Sequence, residues 1–507
     1  MKDKSLTKSI TFNDFKKEIL NDYKTIVISR ETSLLGRKEV LSGKAKFGIF
    51  GDGKELPQIA MAKAFRRGDH RSGYYRDQTF MLALNEISVQ QIFSALYANT
   101  DLKKEPMSGG RQMGSHFMSN YIDEKGDFID STQKYNSSAD ISPTSGQMPR
   151  LLGLAMASKL YREGSFSSKN FSNNGNEVAW GTIGNASTSE GPFFEVFNAA
   201  GVHQVPMVIS VWDDEYGISV NNSYQTTKSS ISKALHGFKR DKSNKGFEIY
   251  TVDGWDYQSL IQIYEHSSNF CRENHIPILI HVKNLTQPIG HSTSGSHERY
   301  KNKSRLEWEM KYDCNRKMRE WILDNNLSDL SQIKQIEKDC IEFVKSEKKA
   351  AWDDFQKDII VERDSFIKLI KSLVHQYKSK DLAEIANSLL RLKDLGRKDV
   401  MSAARRSLRL ENSSDFFEKV NNWVSDYKKN TQPFYSSHLY NESKNNYKSV
   451  IPVPPEYNDE SKMVDGRLIL RDNFDYLMSK VPNLIFFGED TGKIGDVNQG
   501  LEGQKKK

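Results

Sequence analysis

The chain is short of cysteine. Its three cysteines, Cys271, Cys314 and Cys340, are scattered through 507 residues, and they fit neither a disulfide framework nor a zinc-ligand spacing. A reducing, cytoplasmic setting is the expectation. Long apolar runs are missing as well: no uncharged stretch approaches the roughly eighteen residues that a membrane helix needs. The start, MKDKSLTKSITFNDFKKEIL, has no apolar signal core, and its Asp3, Asp14 and Glu18 argue against a transit peptide. Nor is one sign of charge in large excess. The net charge of +7 is spread along the chain, with no basic element interleaved with aromatics, so nucleic acid is not an expected partner. Mixed runs such as Lys345 to Lys349 read as solvated helix faces.

What is present is a globular composition, 37% hydrophobic and 27% charged, in a chain long enough for more than one domain. The most informative stretch runs from Val178 to Tyr216. An apolar run breaks at Gly184, a Ser/Thr-rich turn and a helical pattern follow, and a second apolar run (Met207 to Trp212) ends in two carboxylates. In a parallel sheet both runs finish at the same edge, where ligands usually sit. Asn185 and Asp214 would then stand side by side, two oxygen ligands beside a turn rich in backbone N–H groups. That combination suits Mg²⁺ holding a phosphate ester. Taken alone, the stretch also fits an ordinary crossover with a polar turn.

The rest reads in order. Residues 1–44 form a helical lead-in with Phe15, Ile19, Tyr23 and Ile26 on one face. The GDG at Gly51 to Gly53 reads as a turn into a helix over residues 55–65, with no part in a metal site. Tyr75 and Arg76 open another helical pattern, where a phenol and a guanidinium could reach a phosphate. A glycine-rich loop (107–119) carries Arg111 and His116, and a Ser-Pro turn then feeds a helix rich in small residues (141–161). Residues 246–284 repeat the α/β alternation and lead into a polar loop. From 303 to 426 the pattern is of charged helices. One is opened by Ser328 as cap and Asp329 as first-turn acid, with Leu330, Ile333, Ile336, Cys340 and Val344 as its packing stripe. Residues 427–462 read as a linker. A new unit then begins at 463–507, with a helix near 468–479, a strand at 484–490 and a glycine-rich loop.

Several separated motifs together resemble one family. YYRDQ with Tyr75 and Arg76, the loop GRQMGSHF, the turn at Ser142 and Pro143, the Asn185 to Asp214 unit, and GHSTS with His291 stand in the order found in the alpha-type half of the thiamine-diphosphate-dependent 2-oxo acid dehydrogenases. These are the first components of the pyruvate and branched-chain complexes, and the resemblance covers about residues 30–350. It implies an α/β, thiamine-diphosphate-binding fold (45–302) with a parallel sheet flanked by helices, then a helical extension and the start of a second α/β domain. It further implies decarboxylation of a 2-oxo acid, with the acyl group passed to a lipoyl group. Tyr75, Arg76, Gly184, Ala186, Ser187 and His291 would bind the cofactor, and Ser142 would meet its aminopyrimidine. Asn185, Asp214 and the Tyr216 carbonyl would hold Mg²⁺, and His291 would do proton work. The implied partners are a beta-type half, in the same chain or a separate subunit, and a lipoyl-bearing acyltransferase, in a dimer or heterotetramer.

Departures from the family pattern gather at the metal. Carboxylate and amide are exchanged between the two ligand positions, and Ala186 stands where the family has glycine. Trp212 replaces an arginine seen in some members, and Asp213 brings a negative charge that a diphosphate would dislike. The tail LIFFGEDTGKIGDVNQGLEG is similar to the opening of the beta-type half, so the chain resembles the front of a fused alpha–beta polypeptide. The glutamate that activates the cofactor in the family belongs to the beta-type half, and no turnover is expected from this chain alone. Ser292 and Ser294 lie in the loop that some relatives regulate by phosphorylation. Two alternatives stay open: a non-catalytic assembly or binding subunit, and another thiamine enzyme of the acetoin dehydrogenase type.

Overall fold

The apolar runs become adjacent strands of one sheet. The computed structural model describes residues 11–166, 168–293, 295–410, 413–437 and 439–504. Its strands are β1 (His70–Ser72), β2 (Asn136–Ser137), β3 (Ala179–Gly184), β4 (Met207–Trp212), the short hairpin β5 (Tyr216–Gly217) and β6 (Val220–Asn221), β7 (Glu248–Asp253) and β8 (Ile278–Lys283). Six of them form a parallel sheet in the order β2-β1-β3-β4-β8-β7. Around it lie α1 (Phe12–Leu41), α2 (Glu55–Ala64), α3 (Gln78–Ala83), α4 (Val89–Leu96), α5 (Met148–Arg162), α6 (Gly191–His203), α7 (Ile231–Ala234) and α8 (Tyr257–Asn274).

Both faces of the sheet are covered, which is why β4 is apolar at nearly every position and buried along its whole length. Trp180, Val208 and Ile280 pack on one side with residues of α1, α2 and α8. Ala179, Ile209 and Leu279 pack on the other with α5 and α6. The register sets Gly184 beside Trp212, and the Asn185 N–H donates to the Trp212 carbonyl at 3.3 Å. Since β1 pairs with β3 on the other side, the segments after Ser72, Gly184 and Trp212 all emerge at one carboxyl edge.

The first helix is more than a lead-in. Its Ile19, Tyr23 and Ile26 belong to the same core cluster as the sheet. Nor does that core end at residue 303. The chain continues through α9 (Lys303–Lys311), α10 (Cys314–Asp324), α11 (Leu330–Tyr377), α12 (Lys380–Leu390), α13 (Arg397–Ser407), α14 (Ser414–Ser436) and α15 (Gly466–Lys480). Residues from Cys314 to Cys340 still pack into the first cluster, and a separate one forms from Ile359 onward, closed by α12 to α14. The long helix α11 is capped by Asp329 rather than Ser328, its carboxylate accepting the Gln332 N–H at 2.8 Å. Ile333, Ile336, Cys340 and Val344 are buried as expected, while Leu330 is 47% exposed.

Two further expectations shift. The helix α14 runs on to Ser436, past the expected start of the linker at 427. In the tail the helix forms, but residues 484–490 make no strand. Ile485 and Phe487 are exposed, and without a neighbouring ladder an apolar run cannot satisfy its backbone as a strand. All three cysteines are free and buried. Among the described residues no helix is long and apolar enough to cross a membrane.

Candidate functional site

One buried guanidinium organises the sheet edge. Arg71, in β1, donates from Nε to Asp77 at 2.6 Å, from Nη1 to the Ser137 hydroxyl at 2.6 Å, and from Nη2 to both Asp140 oxygens at 2.9 Å. Its Nη2 also reaches the Tyr74 carbonyl at 3.2 Å, and Asp77 accepts from the Thr182 hydroxyl of β3 at 2.6 Å. The turn after β1, the segment leading to Ser142 and the strand leading to Asn185 are thereby tied to one group. Gly73 is needed in that turn, because a Cβ there would sit 2.1 Å from an Asp77 oxygen.

The turn delivers Arg76 to the polar loop. Arg76 donates to the Phe50 carbonyl at 2.6 Å, and to both the His291 Nδ1 and the His291 carbonyl at 3.0 Å. Because Nδ1 accepts, the imidazole proton sits on Nε2. Burial, and then the charge of Arg76, pull the His291 pKa down to about 3, so the ring is neutral. Tyr75 lies 6.2 Å, ring to ring, from His116, whose Nε2 is 3.0 Å from the Ser142 hydroxyl.

At the end of β4 the two carboxylates part. Asp213 pairs with His281 Nε2 at 2.9 Å and accepts the Glu215 N–H at 2.7 Å, so its charge is already engaged by the protein. Asp214 accepts the Tyr216 N–H at 3.2 Å on one oxygen and the Lys54 ammonium at 2.9 Å on the other. Burial raises the Asp214 carboxyl, but Lys54 and then Lys301 outweigh it and hold the group below the usual carboxylate range. Lys54 also donates to the Thr286 carbonyl at 3.1 Å and to Gln287 Oε1 at 3.2 Å. Arg305 donates to the Asp214 carbonyl at 2.8 Å.

The donor set fits a magnesium diphosphate in kind. Asn185, Asp214 and the Tyr216 carbonyl are oxygen ligands of the type Mg²⁺ takes, though no group of three or more His, Cys, Asp or Glu gathers at a metal position among the described residues. Among the described residues, several buried polar atoms on the surrounding segments have no partner, including Asn185 Nδ2, Tyr74 Oη, Thr286 Oγ1 and Asp52 Oδ1. Buried polar atoms are normally satisfied, and half a turn of the Asn185 amide presents its oxygen instead. The discordant group is Lys54, which occupies Asp214.

Most residues picked from the sequence stand at this edge. Gly184 has room for a Cβ, the nearest atom being Tyr74 Oη at 3.8 Å. Ala186 and Ser187 open the 3₁₀ turn Ala186–Ser189. Trp212 is fully buried in the core and donates to the Ser210 hydroxyl at 2.7 Å. The Ser292 carbonyl accepts from Arg37 at 2.7 Å, and Ser294 lies outside the described residues.

The sequence reading missed Arg71, Asp77, Tyr74 and above all Lys54. The GDG is indeed a turn before a helix, but it belongs to the site. A Cβ on Gly51 would lie 2.3 Å from the Arg76 carbonyl, and one on Gly53, whose φ is +79°, would lie 2.1 Å from the Thr286 carbonyl. Asp52 accepts the Ile289 N–H at 3.0 Å. Lys54 carries no sequence signal of its own, since its partner Asp214 lies 160 positions away.

Cationic and amide groups thus converge at the carboxyl ends of adjacent parallel strands of an α/β protein, the place in such a sheet where an anionic ligand could be received. The family model described as "Dehydrogenase E1 component" matches residues 23–359, well over half of the chain. The chain belongs to that family, as an alpha-type component of the 2-oxo acid dehydrogenases. It is 27% identical over 301 residues to the 2-oxoisovalerate dehydrogenase subunit alpha of Bacillus subtilis (strain 168), covering 58% of this chain and 79% of that one. To the pyruvate dehydrogenase E1 component subunit alpha of Rickettsia prowazekii (strain Madrid E) it is 23% identical over 337 residues, 66% and 91% of the two chains. For the corresponding subunit of Rickettsia bellii (strain RML369-C) the figures are 26% over 199 residues, 39% and 55%. The family match ends at 359, where the cluster closed by α12 to α14 begins.

Proposed function

We propose that the chain is the alpha-type part of a thiamine-diphosphate-dependent enzyme that decarboxylates a 2-oxo acid and passes the acyl group to a lipoyl-bearing acyltransferase. The observation that carries this reading is the convergence of Arg76, His291, Asn185 and Asp214 at one sheet edge. Tyr75, Arg76 and the turn from Gly184 to Ser187 would hold the diphosphate. Asn185, Asp214 and the Tyr216 carbonyl would hold Mg²⁺, and Ser142, beside His116, would meet the aminopyrimidine. When bound, thiamine diphosphate supplies the carbanion chemistry.

The chain's own residues then have defined work. Arg76 now spends its Nη2 donors on His291 and would turn them to phosphate oxygens, a charge-assisted exchange. His291 is neutral with its proton on Nε2, so it can donate a hydrogen bond to an oxygen gaining negative charge. A diphosphate nearby would raise its pKa back toward the range useful for proton transfer. The activating glutamate would come from a beta-type half, in the same chain or a separate subunit of a dimer or heterotetramer.

The test is CO₂ release from pyruvate and from 2-oxoisovalerate, with and without a beta-type half. We expect release only with both halves present, and loss of release in His291→Ala. Turnover by the 507-residue chain alone would overturn this division of labour. A second reading, a binding subunit that holds no cofactor, is favoured by the Lys54–Asp214 ion pair. A melting temperature unmoved by thiamine diphosphate and Mg²⁺ together would decide for it.

A further inference from the structure

We propose that Lys54 is an internal cation that competes with the divalent metal for Asp214. The inference rests on the metal reading above. Lys54 is 2% exposed, and its three ammonium protons meet three acceptors: Asp214, the Thr286 carbonyl and Gln287 Oε1. Its backbone is fixed by the neighbouring glycine, which leaves no room for a side chain against Thr286. The ammonium therefore occupies a built site.

The charge balance explains why this matters. Asp214 is the one carboxylate among the three expected ligands, since Asn185 and the Tyr216 carbonyl are neutral. With the ammonium on Asp214 the set has no net negative charge, and a divalent cation has little to attract it. The other two acceptors make exchange feasible. If Lys54 leaves Asp214 it keeps the Thr286 carbonyl and Gln287, so the ammonium stays hydrogen-bonded while the carboxylate turns to the metal. The carboxylate is thus held ionised and in place by an internal cation until an external one displaces it.

The experiment uses the full chain with Mn²⁺ as probe, read by electron paramagnetic resonance, and thiamine diphosphate read by calorimetry. Lys54→Gln and Lys54→Met remove the charge, and Lys54→Arg keeps it. Both neutral variants should bind Mn²⁺ at least about tenfold more tightly than the native chain, as expected for removing a like charge within a few ångströms, and Lys54→Arg should not. Where loss of the ion pair lowers the melting temperature, Mn²⁺ should restore it in the neutral variants and do little for the native chain. Unchanged or weaker Mn²⁺ affinity in the neutral variants, or no restoration, overturns the competition. Weaker thiamine diphosphate binding with unchanged Mn²⁺ affinity assigns Lys54 to the phosphate and also overturns it. If the native chain binds both ligands as tightly as the neutral variants do, the metal reading stands and the competition falls. If no protein binds either ligand, both fall.

Discussion

Replacing Arg71 by methionine tests the framework beneath the site. The substitution keeps a long apolar stem but deletes a fully buried guanidinium that satisfies Asp77, Asp140, Ser137 and the Tyr74 carbonyl. Two buried carboxylates then face each other with no cation between them. Breaking a buried pair by removing one partner typically costs about 3–5 kcal/mol, a large fraction of the roughly 5–15 kcal/mol that holds a domain together. The loss should depend on pH. Burial already pushes the Asp77 carboxyl up to about 6 against the pull of Arg71, and without Arg71 it rises further. A carboxyl whose folded pKa lies above its unfolded one favours the folded state at low pH and loses that advantage as pH rises through the folded value. The variant should therefore be most destabilised near pH 8 and recover part of the loss near pH 5. Urea unfolding followed by circular dichroism at both pH values measures this. A loss below about 1 kcal/mol at pH 8, or the same loss at pH 5, refutes the claim that one guanidinium holds the sheet edge together.

Other consequences can be checked separately. Asp214→Ala should abolish Mg²⁺-dependent binding of thiamine diphosphate, and unchanged affinity by calorimetry would remove Asp214 from the ligand set. His291, held near 3 by burial and Arg76, should show ring resonances that stay constant from pH 8 to pH 5 in the free chain. A midpoint near the ordinary 6.5 would contradict the Arg76 contact. Since its folded pKa lies below its unfolded one, this histidine also costs the fold stability as pH drops below about 6.5. Gly51→Ala forces a methyl onto the Arg76 carbonyl and should cost about 1–3 kcal/mol together with most diphosphate affinity. A native melting temperature in that variant would show that the turn can give way.

The parts of the fold written as periodic apolar runs were legible. Met207 to Trp212 appears as a strand with the bounds read from the sequence, because its pattern follows from burial on the sheet. Asn185 and Asp214 were legible as neighbours because parallel strands end at a common edge. Lys54 was not. Its partner lies 160 positions away, and a lysine before a helix looks the same in sequence whether it faces water or a buried carboxylate. The Arg71 network was hidden likewise, since Asp77 and Asp140 are brought to it by tertiary packing and not by spacing. In the tail, residues 484–490 have strand composition but no sheet edge to join, and a sequence shows the first without the second. The packing of α10 against the first core was not legible, because charged surface residues on the same helix masked inward residues such as Met318 and Ile322.

The central claim is that this sheet edge holds thiamine diphosphate with Mg²⁺. Calorimetric titration of the native chain with thiamine diphosphate, with and without Mg²⁺, tests it most directly, supported by the melting temperature. Binding with Mg²⁺ that stabilises the fold by about 2.7 kcal/mol at a hundredfold excess over Kd, and that disappears in Asp214→Ala and Arg76→Ala, is the predicted result. No heat and no change in melting temperature under either condition would contradict the account.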